Sequence, residues 1–387
     1  MKPRPSGDVN PMTIPSPGEI RFNSDLELDL REGRSVLLRL PEGETCDLIH
    51  RTRQTFLDDW IDLSASEDGG TPLDQLFDEF EPNRTAGTLK TLPRLYQLDN
   101  FRGRVLAIHF QNSDCWKSWI PFLREFANAS RTVEEFYRTR LVLVCIGRNV
   151  GGISHVNEVL LSERSLDGYF GRIDSRLAAN QIVLRTNRTA LECQIVESIC
   201  SELALWDTAL AAQLAEFPVG DLFDPLPLLL QLAEELGFRA AAEVPAAEGL
   251  WQGWFRTVDQ SGEWHSCHLA LTGRCDLIRN RVWRAQTASI LPFLEGQRKQ
   301  LINIFRNDLR LPHRDRDGKV LVTDRDDLEL GHIFNQFFSP ASRVSETTRQ
   351  AVKLLREVRN LLAHFQPITP DFVHRGLLAR MPWEDLA

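Results

Sequence analysis

Arg359, Asn360 and His364 stand within six residues of one another in the stretch RNLLAHFQP, near the C-terminal end of a chain of 387 residues. These three types raise the question of an RNA-cutting site. Attack by a 2′-hydroxyl needs a group that takes or gives a proton near neutral pH, which an imidazole supplies. It also needs positive charge where the phosphate becomes more negative, which a guanidinium supplies. The same residues could also be the wet side of an ordinary helix. At 3.6 residues per turn, Leu354, Leu355, Val358, Leu361, Leu362 and Phe365 make one apolar stripe, with Arg356, Arg359, Asn360, Ala363 and His364 opposite. Asn360 and His364 are one turn apart and can touch. Pro367 is expected to stop the helix.

Other chemistry-bearing stretches are weaker. HSCH (265–268) with Cys275 contains metal-ligating types, but a zinc site needs four ligands in tight pairs, and no second pair lies at a matching distance. These residues are expected on a strand, with His265 and Cys267 facing one way. HRDRDGKVLVTD (313–324) has Gly318 and Asp324 where a calcium loop has its sixth and twelfth residues, but His313 would have to be the first ligand. An exposed loop or small hairpin is expected instead. A phosphate-binding loop needs GxxxxGK[ST]. The strand–turn–helix opening LPEGETCDLIHR has one Gly, no Lys-Ser/Thr pair, and Glu42 and Glu44 where an anion would lie. The next strand leads to Gln111, Asn112, Ser113 and Asp114, where the carboxylate comes late for holding Mg²⁺. The third leads to Arg148 and Asn149, at a sensor-like position. ATP hydrolysis is therefore not expected, and neither a cofactor nor a metal is called for.

These residues need elements to hold them. RSVLLRL, GRVLAIHFQN (103–112) and RLVLVCIGRN (140–149) are near-continuous apolar runs, as in a parallel sheet covered on both faces. Between them, Cys46–Trp60, LDQLFDEF and WKSWIPFLREFANASRTV read as helices, and LSASEDGGTP as a loop. This alternation predicts an α/β domain. From 150 to 240 the pattern turns helical, AAAEVPAAEG (240–249) reads as a linker, and LWQGWFRTVDQSGEWHSCHLAL as a hairpin around DQSG, with WQGW equally fit to end a helix. Helices are expected at about 283–309, 327–338 and 346–365, with a charged loop between 310 and 327. The fold class expected is α/β plus α: a parallel α/β domain followed by a mostly helical C-terminal bundle.

Composition is that of a globular protein, 42% hydrophobic and 26% charged. A net charge of −9 argues against generic nucleic-acid binding by the whole molecule. Residues 281–320, however, hold nine Lys or Arg against four Asp or Glu, an asymmetry that can mark an anionic partner. Seven scattered Cys with no CxxC predict reduced thiols and a cytoplasmic location. Residues 1–19 hold five Pro and no apolar core, and are expected to be a disordered tail rather than a signal peptide. No apolar run is long enough to span a membrane.

Two family resemblances follow from these stretches. RSVLLRLPEG, VLAIHFQNSDCWKSWIPFLREFANASR, RLVLVCI and DGYFGRIDSRLAA resemble the inactivated STAND-type NTPase domains of bacterial conflict systems, with an AAA+-like core and eroded Walker residues. This covers roughly residues 20–240 and rests on strand order and on the WxxWxxFLxxF helix at Trp116–Phe126. It implies a degenerate P-loop domain that senses or transduces. Arg359-Asn360 followed by His364 resembles the motif of HEPN domains, helical bundles that often act as metal-independent RNases, over about residues 281–380. It implies His364 as acid/base, Arg359 as phosphate clamp and Asn360 as support, pooled across two chains, with RNA and a homodimer or a conflict-system protein as partners. The segmentation that follows is a tail (1–19), a degenerate NTPase-like domain (20–150), a helical extension (151–245), a hairpin or connecting segment (246–280) and a HEPN-like domain (281–387).

Overall fold

A computed structural model describes residues 15–384, except 41–45, 66–69, 86, 111–114, 147–158, 237, 239–252, 315–316 and 341. The chain forms two compact units. One runs through Phe170 and takes in Glu243–Trp264; the other comprises Gly171–Ala242 and His265–Ala387.

The first unit opens with α1 (Pro17–Arg31), which the sequence reading did not anticipate. Ser16 caps it by accepting the Glu19 N–H at 3.2 Å, and Pro17 sits where a missing N–H costs nothing. The expected tail therefore stops short of residue 19, and its first 14 residues lie outside the described ones. Five strands follow: β1 (Ser35–Leu40), β2 (Trp60–Ala65), β3 (Val105–Phe110), β4 (Arg140–Ile146) and β5 (Leu161–Ser165). They form an all-parallel sheet in the order β2-β3-β4-β1-β5. Strand periodicity sends alternate residues to opposite faces. Leu37, Leu106, Ile108 and Leu143 pack with Phe77, Trp119 and Phe126. These come from α3 (Pro72–Phe80) and α5 (Trp116–Ser130). Val36, Leu38, Ala107 and Val142 pack with Phe22, Leu26 and Leu30 of α1. Coverage on both faces is why the central strands read as unbroken apolar runs.

Both edge strands differ from expectation. Cys46–Trp60 is not one helix: a 3₁₀ turn (Cys46–Ile49) leads into α2 (His50–Thr55), and β2 starts at Trp60, the end of the expected helix, and runs into the expected loop. β5 lies in a region expected to be helical. An edge strand has one neighbour and partial cover, so WIDLSA and LSERS keep polar residues that hide them from a search for apolar runs. The unit also holds α4 (Leu92–Leu95) and the hairpin β6 (Phe255–Val258) and β7 (Ser261–Trp264). Asp259 and Gln260 both take positive φ, as a two-residue turn matched to strand twist requires. The Asp167 carboxylate accepts from the Thr257 N–H at 2.5 Å and from its hydroxyl at 3.0 Å.

Among the described residues, the second unit is helical apart from one small ribbon. Its elements are α6 (Arg172–Val183), α7 (Ala190–Ala204), α8 (Thr208–Glu216), α9 (Val219–Phe223), α10 (Leu226–Glu235), α11 (Ser266–Leu271), α12 (Cys275–Ile304), α13 (Leu330–Phe337), α14 (Glu346–Ala363) and α15 (Pro370–His374). The helices expected as a separate extension thus share a unit with the C-terminal ones, and β5 carries the α/β unit past residue 150. HSCHLAL is helix rather than strand, and α12 starts eight residues before the expected Trp283. The ribbon β8 (His313–Arg314) and β9 (Val320–Val322) lies within the expected charged loop. The linker expected at 240–249 lies outside the described residues. No helix among the described residues is long and apolar enough to cross a membrane.

Candidate functional site

The helix α14 carries Arg359 and Asn360. Ser345 starts it, its hydroxyl accepting the Thr348 N–H at 3.2 Å. Val352, Leu355, Val358 and Leu362 are buried along one side, so the expected core stripe is largely present. The other side is dressed by α13. The Arg356 guanidinium lies 4.4 Å above the Phe334 ring, and Arg359 Nη2 donates to Glu329 at 3.0 Å. That ion pair is half open to water on both sides, with side chains 44% and 60% exposed. It is therefore a weak tether.

The helix does not reach His364 as a full member. His364 is the C-cap, and its N–H is shared between the carbonyls of Asn360 and Leu361, each at 3.1 Å. Phe365 then takes φ +60°, and the Gln366 N–H returns to the Leu361 carbonyl at 3.0 Å. This left-handed closure, not Pro367, ends the helix. It also swings Phe365 off the apolar stripe to which the sequence assigned it: Phe365 is 74% exposed. Its ring leans on Trp283 at 4.8 Å between centroids. The expected Asn360–His364 side-chain contact does not form, and the His364 side chain is exposed without a hydrogen-bond partner among the described residues. Arg359, Ala363 and His364 all lie open on the outside of the unit.

Two residues that the sequence reading missed hold this stretch in place. Trp283 Nε1 donates to the Leu362 carbonyl at 2.8 Å. The buried Gln286 grips Ile368 twice, donating to its carbonyl at 2.9 Å and accepting its N–H at 2.6 Å. Both sit on α12, about eighty residues away in sequence, where no local pattern marks them. No family model matches this chain, and neither does any curated protein or solved structure.

The other stretches resolve plainly. His265 is the N-cap of α11, its Nδ1 accepting the Cys267 N–H at 3.2 Å, which leaves the proton on Nε2, 3.3 Å from Asp207 Oδ2. Its ring stacks on Phe238 at 4.6 Å, and burial drives the Cys267 thiol far above its ordinary pKa. Neither is poised as a metal ligand, and no metal-binding cluster is found among the described residues. In the α/β unit, Glu42, Glu44, Gln111, Asn112, Ser113, Asp114, Arg148 and Asn149 lie outside the described residues. Asp62 on β2 accepts from Trp60 Nε1 at 3.0 Å, with His109 Nε2 at 3.0 Å and Arg53 at 2.8 Å. Burial pushes its pKa up, but those hydrogen bonds and the Arg53 charge outweigh it and hold the carboxyl below its ordinary value. Its partners commit it to the sheet edge.

Proposed function

We propose that the chain is a non-hydrolytic sensor or adaptor of a bacterial conflict system, in which a degenerate P-loop NTPase-like α/β unit is joined to a HEPN-like helical unit. The observation that carries the reading is the disposition of the three motif residues. Arg359 is engaged by Glu329, Asn360 does not touch His364, and His364 stands beyond the helix end. A single chain thus offers no assembled acid–base pair, whereas catalysis by proton transfer needs such groups within hydrogen-bond reach of the reacting atoms. The all-parallel sheet, with β1 inside it between β4 and β5, is consistent with an NTPase-like ancestry. The LPEGET stretch that follows β1 in sequence lacks the GxxxxGK[ST] pattern and the Lys that phosphate chemistry requires.

One observation favours a second reading, a metal-independent RNase pooled from two chains: Arg359, Ala363 and His364 are exposed together, and Ala363 is small enough for a second helix to come close. Incubating the purified protein with total RNA in the absence of metal separates the two. The adaptor reading expects no cleavage. Cleavage that His364→Ala abolishes would replace it with the RNase reading.

A further inference from the structure

The basic excess of residues 281–320 has no role in either reading, and the structure gives part of it a location. A polar cavity of about 490 Å³ opens between the end of α12, the β8–β9 ribbon and the segment after α13. Arg310, Arg314 and Arg343 line it, against one carboxylate, Asp308. Several arginines elsewhere on this unit pair with acids: Arg298 with Glu295, Arg349 with Glu346, Arg359 with Glu329 and Arg375 with Glu357. Among the described residues, neither Arg310 nor Arg343 makes an ion pair, and Arg314 donates only to the Gly318 carbonyl, at 2.8 Å. Three guanidiniums around one concavity repel each other, and a concave wall focuses their field on whatever enters. An anion relieves that repulsion.

The frame around them is already fixed. The Gln336 side chain accepts the Arg310 N–H at 2.7 Å and donates to the Arg310 carbonyl at 3.3 Å, pinning the backbone that carries this guanidinium. On the other wall, the Ser342 N–H donates to Ser339 and the Ser342 carbonyl accepts from Arg349 at 3.3 Å, which sets the start of Arg343. Backbone held this way needs little further ordering when a ligand binds. Guanidiniums give forked, charge-assisted hydrogen bonds suited to phosphate oxygens. The volume falls in the range of small-molecule sites, of order 300–1,000 Å³, which leaves room for more than a bare phosphate. Ser339, Ser342 and Asn307 supply hydroxyl and amide groups for the remainder.

We infer that this cavity is a binding site for the terminal phosphate of a nucleotide, with Arg310 and Arg343 as its principal clamps. The source is a free mononucleotide or the phosphorylated end of an RNA strand; the chemistry recognised is the same. Neither Arg359 nor His364 lines the site, and its existence does not depend on whether those residues cut RNA.

Calorimetric titration of the full chain tests it with four probes: inorganic phosphate, adenosine 5′-monophosphate, and one short RNA oligonucleotide with a 5′-phosphate or with a 5′-hydroxyl. The expected result is binding of the monophosphate, of the phosphorylated RNA or of both, tighter than inorganic phosphate, and weaker binding of the hydroxyl RNA. Arg310→Ala with Arg343→Ala should weaken the phosphorylated probe by at least about tenfold. Arg306→Ala, which removes an exposed charge outside the cavity wall, and His364→Ala should leave binding unchanged. Arg343→Gln alone gives a second reading should the double variant fold poorly. Monophosphate without phosphorylated RNA assigns the free nucleotide, and the reverse assigns the strand end. Equal binding of the two RNAs, equal loss with Arg306→Ala, or no binding of any probe at millimolar concentration would overturn the site.

Discussion

Gln286→Glu is the sharpest perturbation of the stretch that carries the motif. Gln286 and Ile368 are both fully buried, and one amide serves both backbone groups of Ile368. Glutamate has nearly the same shape but exchanges the donor for an oxygen. When ionised, it keeps the Ile368 N–H and sets a negative oxygen against the Ile368 carbonyl, where the donor now stands at 2.9 Å. When protonated, it donates to that carbonyl and restores both bonds. Burial and the facing carbonyl therefore raise the folded-state pKa of the introduced acid, by about 3 units on the scale seen for buried carboxyls. The sign follows by linkage. Below the unfolded value near ~4.3 the acid is protonated in both states, and the variant is close to wild type. As pH rises from there to the folded pKa, stability falls by about 1.4 kcal/mol per unit, reaching a loss of roughly 4 kcal/mol. Urea unfolding of both proteins from about pH 4.5 to about pH 8 measures it. A difference that stays within about 1 kcal/mol across that range would refute the clamp.

Further expectations concern the motif, the eroded turn and acid stability. Leu362→Ala, a core truncation at a residue 1% exposed, should cost about 2–5 kcal/mol, whereas His364→Ala should stay within about 0.5 kcal/mol in the same denaturation assay. Arg359→Ala should also cost under about 1 kcal/mol, because its pair with Glu329 is open to water; a larger loss would mean that the tether is structural. The purified protein should show no Mg²⁺-dependent phosphate release from ATP, measured by a coupled phosphate assay. Hydrogen bonds from Lys90 and Thr71 hold Asp74 at a pKa of about 2, so its contribution is present above 3.8 and is lost as pH falls through about 2. Asp74→Asn should flatten that part of the acid-unfolding curve.

What the sequence revealed depended on where each residue's partners lie. β1, β3 and β4 were legible because burial on both faces demands unbroken apolar runs. β2 and β5, at the edges, carry Asp62, Ser64, Glu163 and Arg164 and so read as loop or helix. The body of α14 was legible from its stripe, but its end was not. A left-handed closing residue is usually announced by Gly or Asn, and here it is Phe365. HSCH was misread as strand because an imidazole, His265, takes the capping role that Ser, Thr or Asp usually fills. Trp283 and Gln286 were invisible because their meaning lies in backbone groups of a distant segment. The basic cavity shows the same limit: the sequence revealed the charge around Arg310, and only the fold brings Arg310 and Arg343 to one concavity.

The hairpin held by Asp167 sets an order of events during synthesis. The last strand of the sheet ends at Ser165, yet Thr257, the partner of Asp167, lies 90 residues beyond Asp167. At roughly 5–20 residues per second, about 5–18 s pass between the two leaving the ribosome. During that interval α6–α10 are made and must wait for α11–α15 before their unit is whole, while the sheet already has every strand it needs. The hairpin is therefore a late clasp on an early sheet, and the chain returns to close its first unit before it finishes the second.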